Sequence, residues 1–416
     1  MRDIITRVER CRVCGRDDWF DVVSLGTQPL ANGLLDPAPQ YGPEPAYPVD
    51  VIVCRGCWLM SLRHVVDPEV LFGHYVYVSS DSDQISRHMR QVADWCVARA
   101  GLVPGDLVVE MGSNIGTQLG VFRERGMRVV GVDPARNLAG IANGRGVETV
   151  ADFFSPEVTG PIARERGEAR LVLGRQCFAH IDDVHNILKG VDAVLAPDGL
   201  LVIEVPYLVD LLDENQFDTI YHEHLSYYSL GTLSTLFESH GLHVVAVERA
   251  DVHGGSIVVF AGRVAAGREP ERGVRDVFAL EYQRGLSTEA PYRRLAARTR
   301  QVVDEVGALV RALVADGKRV AGYGAPSKGS ALLMDCGFGP DEIEFCSDTT
   351  TLKHGKVLPG SHIPIHSPER AREQAPDYYL LLAWNYAEEI IRKERAFLEA
   401  GGKFIVPIPE PRVVAA

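Results

Sequence analysis

Four cysteines fall in two short pairs, Cys11-Arg12-Val13-Cys14 and Cys54-Arg55-Gly56-Cys57. Each C-x-x-C turn presents two thiolates from one tight knuckle, and two knuckles complete a tetrahedral four-sulfur zinc site. Such a site has no open coordination position, so the Zn2+ it implies is structural. Reduced cysteines without a metal, or a redox pair in either knuckle, are the other uses of this spacing. A second concentration of reactive groups is Asn215-Gln216-Phe217-Asp218-Thr219-Ile220-Tyr221-His222-Glu223-His224-Leu225-Ser226-Tyr227-Tyr228. Histidine, glutamate and tyrosine together take and give protons near neutral pH, which makes Tyr221, Glu223 and His224 candidates for acid–base work. A metal held by His222 and His224 would lack both the H-E-x-x-H spacing and a clear third ligand. His180, in Phe178-Ala179-His180-Ile181, follows a strand-like run and points to the same rim.

Two glycine turns suit nucleotide-like ligands. The first, Leu107-Val108-Val109-Glu110-Met111-Gly112-Ser113-Asn114-Ile115-Gly116, reads as a strand entering a turn and then a helix. Glycine at such a turn lets the backbone approach a ligand closely. About 20 residues on, Val129–Val132 is a second strand ending in Asp133-Pro134, and an acid there suits a ribose diol. A dinucleotide fingerprint wants G-x-G-x-x-G, whereas Gly112, Gly116 and Gly120 are spaced by four. Glu110 at the strand end followed by this turn looks like a class I methyltransferase, and the reading favours S-adenosylmethionine (SAM) over NAD. Asp152, in Ala151-Asp152-Phe153-Phe154, would accept from the adenine amino group, or else cap the helix that starts near Ser155-Pro156. The second turn, Gly322-Tyr323-Gly324-Ala325-Pro326-Ser327-Lys328-Gly329, again joins strand to helix. A helix start of this kind offers free N–H groups and a positive dipole end to phosphate, with Ser327 and Lys328 adding a hydroxyl and a charge. A nucleotide-type fold that has lost its ligand is the alternative there.

The elements that must position these groups follow from the pattern of the whole chain. At 416 residues it spans two to three domains, and 46% hydrophobic with 24% charged residues permits sizeable cores. Residues 1–66 are rich in Pro, Gly and short apolar runs and read as a small β-rich zinc-binding module. Residues 67–266 alternate strand runs (Leu107–Glu110, Val129–Val132, Arg170–Leu173, Leu200–Val205) with helical stretches, the mark of a doubly wound parallel sheet. Residues 267–416 begin with a charged helical stretch and continue as a second Rossmann-like α/β unit, with strands at 318–322, 343–346, 378–382 and 404–407. A net charge of −13 argues against a general nucleic-acid binder. No apolar run is long enough for a membrane span or a signal peptide, so a cytoplasmic protein is expected. Cys96, Cys177, Cys336 and Cys346 lack ligand spacing and read as ordinary thiols.

Together the paired C-x-x-C module, the E-x-G-S-N turn, F-A-H-I, Y-H-E-H-x-S-Y-Y, H-G-G-S at His253–Ser256 and G-Y-G-A-P-S-K-G resemble the sugar C-methyltransferases that make branched deoxysugars of the mycarose, evernitrose and tetronitrose type. The resemblance spans nearly the whole chain, in order. It implies SAM-dependent methylation at C-3 of a nucleotide-linked (dTDP) 4-keto-deoxysugar, in deoxysugar and antibiotic biosynthesis. It makes His224 the base for the C-3 proton, with Tyr221 and Glu223 holding the sugar or relaying protons and His180 a second acid–base residue near the ketone. Glu110, Gly112, Ser113, Asn114, Gly116, Asp133, Pro134 and Asp152 would hold SAM. Tyr75, Tyr77, His222 and His253 would line the acceptor cavity, although the two tyrosines could equally be packing aromatics. Gly324, Ser327, Lys328 and Asn385 would meet the diphosphate, with Trp384 and Tyr386 nearby. Two departures stand out. Ile115 replaces the usual Asp of the first turn, and Arg175-Gln176-Cys177 replaces Asn-Asn-Val before His180. The rival readings are an NAD-dependent sugar-nucleotide oxidoreductase or epimerase, and a non-catalytic binding protein of the same fold.

Overall fold

Leu107–Met111 is buried along its whole length, as expected of a strand covered by helices on both faces. It lies inside a seven-stranded sheet in the order Leu242–Ala250, Ser256–Arg263, Leu195–Pro206, Ala169–Arg175, Leu107–Met111, Arg128–Val132, Thr149–Val150. Its strands are parallel except Ser256–Arg263, which runs antiparallel between Leu195–Pro206 and Leu242–Ala250. The computed structural model describes residues 4–73, 75 and 83–416. Tyr77 lies outside them.

The chain winds outward in one direction from Leu107–Met111 to Arg128–Val132 and Thr149–Val150, then returns to Ala169–Arg175 on the other side. The crevice of a doubly wound sheet opens at the carboxyl ends where the order reverses. Here that point lies between Gly112 and Gln176-Cys177. The two turns touch so closely that a Cβ on Gly112 would stand 2.6 Å from the Cys177 Cβ.

A second, six-stranded sheet has Val320–Tyr323 between Cys346–Ser347 and Tyr378–Leu381, with Ile365–His366 and Lys403–Val406 outside them and Arg412–Val414 as an antiparallel edge. Its reversal point falls beside Gly324 and Ala383-Trp384-Asn385. The strand expected at 343–346 enters the ladder only at Cys346, although the Glu344 amide already donates to the Val320 carbonyl (3.0 Å). The charged helical stretch forms two helices, Arg272–Arg284 and Ala290–Ala315.

The zinc-module sheet is antiparallel: Trp19–Pro29, Ala46–Cys54, Met60–Leu62 and then Ser226–Tyr227. Its fourth strand comes from the end of the His-rich segment. The module also exchanges a pair of backbone hydrogen bonds between Leu35 and Val357 (3.0 and 2.9 Å), and so bridges the two larger sheets. No described helix is long and apolar enough to cross a membrane.

Candidate functional site

The sulfurs of Cys11, Cys14, Cys54 and Cys57 lie within 4.8 Å of one another. Two cross-knuckle pairs, Cys11–Cys57 and Cys14–Cys54, are 3.5 Å apart, close to the edge of about 3.8 Å that Zn–S bonds of about 2.3 Å give a tetrahedron. Each knuckle closes on its first cysteine: Gly15 N donates to Cys11 O and Trp58 N to Cys54 O, both at 2.9 Å. Without a cation the thiols oppose one another. Hydrogen bonds from Cys11 and Cys57 hold the Cys54 thiol well below its ordinary range, while bonds to Cys11 and Cys54, then burial, push Cys57 far up. A divalent cation lets all four ionise, and the donor set fits zinc. Among the described residues no other cluster of His, Cys, Asp or Glu could hold a metal, so His222 and His224 are not part of one.

At the central crevice Gly112 and Gly116 have φ of 62° and 76°, and a Cβ on Gly116 would strike Val147 at 2.8 Å. Asp133 is buried and accepts from Asn114 N (2.7 Å) and Ala135 N (2.9 Å). Burial raises its pKa, against those two bonds. Each carboxylate oxygen has a second acceptor position, which suits a ribose diol. Burial pushes the Glu110 carboxyl up to about 8. Its Oε2 and the buried Ser113 hydroxyl have no partner among the described residues, as expected of groups waiting for a polar ligand. Asp152 does not cap the following helix, whose N-cap is Ser155. Its carboxylate accepts from Phe153 N (2.8 Å), beside the exposed Phe153 ring. Pro134 follows Asp133 at the same rim. These features fit SAM.

The two departures are accommodated. Ile115 is buried in a small apolar cluster with Ala135 and Leu138, against Tyr75. Arg175 donates to Glu204 Oε2 (2.5 Å) and Gln118 Oε1 (3.0 Å). Gln176, at φ 53°, donates to Glu204 Oε1 (3.1 Å) and Ser256 Oγ (3.0 Å). His88 reaches the same carboxylate at 2.8 Å. Burial works against ionisation of Glu204, but Arg175 and His88 outweigh it and hold the carboxyl below its usual range. The Cys177 thiol donates to Met111 O (3.3 Å).

The His-rich segment forms a tight loop. His224 Nδ1 lies 2.7 Å from Thr219 O and Nε2 lies 3.0 Å from the Tyr221 hydroxyl. A carbonyl only accepts, so Nδ1 carries the hydrogen and Nε2 is the basic nitrogen. Burial lowers the pKa of His224 to about 4, despite the Thr219 bond. The rings of His180 and His224 stack at 5.1 Å and 22°. Burial and then His224 depress the His180 pKa, so both imidazoles are neutral at pH 7. Glu223, also buried, accepts from the Tyr75 hydroxyl (2.6 Å) and Asn32 Nδ2 (2.7 Å). The Ser327 hydroxyl donates to Asn32 Oδ1 (2.9 Å). Asn32 thus links the Glu223 carboxylate of the central region to Ser327 of the C-terminal region.

On the C-terminal side, Lys328 contacts Asn385 Oδ1 and sits 4.1 Å over the Trp384 ring. Burial brings its pKa down to about 8, against the pull of Asp218. Trp384 Nε1 donates to Asp218 Oδ2 (2.6 Å), which ties the His-rich loop to this turn. Gly324 has φ 86°, and Ala325 N donates to Asp348 Oδ2 (2.7 Å). His222 is bonded elsewhere: its Nε2–H donates to Tyr47 O (3.0 Å), so it anchors the loop to the zinc module. His253, at φ 57°, is buried enough to bring its pKa down to about 4, with Glu204 opposing. Asn32 carried no sequence signal, because an isolated Asn in a Pro- and Gly-rich stretch reads as a turn residue.

Three family models match: "Putative zinc binding domain" over residues 11–72, "Methyltransferase domain" over 85–247 and "C-methyltransferase C-terminal domain" over 251–409. The C-methyltransferase NovU of Streptomyces niveus is 63% identical over 416 residues, covering 100% of this chain and 99% of the relative. Among solved structures, magnesium protoporphyrin IX methyltransferase of Synechocystis PCC 6803 with bound SAH is 14% identical, covers 43% of this chain and 83% of that chain, and has a TM-score of 0.34. The 1,6-didemethyltoxoflavin-N1-methyltransferase of Burkholderia thailandensis is 22% identical, covering 45% of this chain and 80% of that one at a TM-score of 0.32. A relative this similar along its whole length, together with the glycine crevice and the four-sulfur cluster, establishes the chain as a member of the C-methyltransferase family, with SAM as its cofactor and zinc in its N-terminal module.

Proposed function

We propose that the acceptor is C-3 of a nucleotide-linked 4-keto-deoxysugar, of the dTDP type, and that the protein acts in the cytoplasm in deoxysugar and antibiotic biosynthesis. The observation that carries this reading is the hydrogen bonding of His224, which leaves Nε2 neutral and basic beside Tyr221. A 4-ketone acidifies the neighbouring C–H, and a neutral imidazole at that carbon can take its proton. Bound SAM supplies an electrophilic methyl group to the carbanion that results. Tyr221 and Glu223 hold the sugar or relay the proton, and His180 donates toward the ketone oxygen as charge develops there. Tyr75 fixes Glu223, and Gly324, Ser327, Lys328 and Asn385 face the diphosphate. Two neutral imidazoles beside one another suit a carbon acid, whose proton must be taken, over a substrate that is already an anion at the reacting atom.

The test is to incubate the protein with SAM and a dTDP-4-keto-deoxyhexose. The expected product carries one added methyl group by mass spectrometry, located at C-3 by NMR. Methylation at oxygen or nitrogen, or none of any keto-sugar nucleotide, would overturn the acceptor.

A further inference from the structure

We infer that Arg12, inside the first cysteine knuckle, is a positioning residue that couples the zinc module to the His180–His224 pair. The inference rests on the reading of those two histidines as the acid–base pair.

Arg12 is buried, yet its guanidinium reaches three separate segments. Nε donates to Asp182 Oδ1 (2.7 Å), and the two terminal nitrogens donate to Leu62 O (3.2 Å each). The first of these nitrogens also donates to Leu225 O (3.3 Å). Leu225 follows His224 directly, and Asp182 stands two residues beyond His180. Backbone bonds close the circuit: Leu225 N donates to Ala179 O (2.8 Å), next to His180, and Leu62 N donates to Leu225 O (3.0 Å).

One planar group therefore clamps the chain next to both imidazoles, at Leu225 after His224 and at Asp182 after His180. A guanidinium offers five donors in a rigid fork, whereas an ammonium offers a single point. Burying such a charge is costly unless it is paired, and here the pairing serves the segments that hold the two rings. Cys11 and Cys14 flank Arg12, so a metal that fixes the knuckle also fixes the base of the guanidinium.

The experiment uses the full chain with Arg12→Gln, Arg12→Lys and Asp182→Ala. Zinc per chain and SAM affinity are measured alongside kcat and KM, together with the 15N imidazole signals of His180 and His224, assigned through His180→Asn and His224→Asn. R12Q is expected to keep zinc and SAM binding and nearly the same acceptor KM. Its kcat should fall about 100-fold, as a misplacement of about 1 Å at the reacting centre costs. Both imidazole signals should shift while that of His243, bonded to Arg268 O, stays in place. R12K should recover little.

Unchanged imidazole signals with zinc retained would overturn the inference, as would a loss of kcat that merely follows a loss of zinc. If R12Q does not fold, D182A decides by the same signals, since that carboxylate is half-exposed and its loss removes the acceptor of one arm only. The imidazole readout needs no acceptor. Failure of the keto-sugar proposal would therefore appear as wild-type protein that does not methylate it, with the Arg12 result standing separately.

Discussion

The His224 ring works through two hydrogen bonds whose chemistry differs. Thr219 O fixes the tautomer, and the Tyr221 hydroxyl occupies the nitrogen left to act. His224→Asn should keep SAM binding and lower kcat by about 10²–10⁴, the ordinary worth of a positioned base; calorimetry with SAM and a methyl-transfer assay check the two halves. Near-wild-type turnover would remove His224 from the role. Asp133→Ala belongs to the same scale. It deletes a carboxylate that holds the glycine turn through Asn114 N and the exit of its own strand through Ala135 N. SAM affinity should drop about tenfold or more, since a charge-assisted hydrogen bond is worth about 1.5–3 kcal/mol. Unaltered SAM affinity would place the ribose elsewhere.

At the scale of elements, the crevice depends on two turns in van der Waals contact. Gly112→Ala adds a Cβ at a positive φ and 2.6 Å from the Cys177 Cβ. It should cost about 2–4 kcal/mol, combining overpacking with left-handed backbone strain. Cys177→Gly in the same chain should restore more of the loss than Cys177→Ala, because the added Cβ would stand 2.6 Å from the Cys177 Cβ and 3.0 Å from its sulfur, and only glycine removes both contacts. Urea unfolding of the three variants decides it; equal rescue by Ala and Gly would contradict the geometry. The zinc sheet is the second case. Ser226–Tyr227 is its fourth strand, so Cys54→Ser should release the metal and quicken amide exchange at residues 219–228 as well as within the module. SAM should still bind, because Gly112 and Asp133 belong to a different sheet. Exchange confined to residues 8–62 would show that the strand holds without zinc.

For the molecule as a whole, several imidazoles are buried neutral. His224 and His253 are brought to about 4 by burial, from about 6.5 in the unfolded chain. Between those values the unfolded state binds protons that the folded state refuses, so stability falls as pH drops from about 6.5 toward 4. Each group should cost roughly 2 kcal/mol between pH 7 and pH 5. Urea midpoints measured at both pH values with zinc in excess test this, and His253→Asn should lessen the drop by about that amount. A drop that His253→Asn leaves unaltered would show that this imidazole is not held neutral. The site is a junction of three regions: Asn32 comes from the zinc module, Glu223 from the loop after the central sheet and Ser327 from the C-terminal helix.

The amino-acid order alone determined what neighbouring residues can decide. The C-x-x-C spacing sets two thiolates on one knuckle, and a buried apolar run ending in glycine or an acid marks the carboxyl edge of a sheet strand. Those signals were enough for the zinc module, the two α/β sheets and the glycine crevice, because turn conformation and strand burial are encoded within a few residues. They could not show that Ile115 is absorbed by packing on Ala135 and Leu138, nor that His222 bonds Tyr47 while His224 keeps its Nε2 toward Tyr221. They also could not bring Arg12 to Asp182, or Asn32 to Glu223 and Ser327. Those pairings join residues far apart in the chain. Each forms only when the separate cores pack and the zinc sheet takes in Ser226–Tyr227, so tertiary burial decided the partners that local sequence left unspecified.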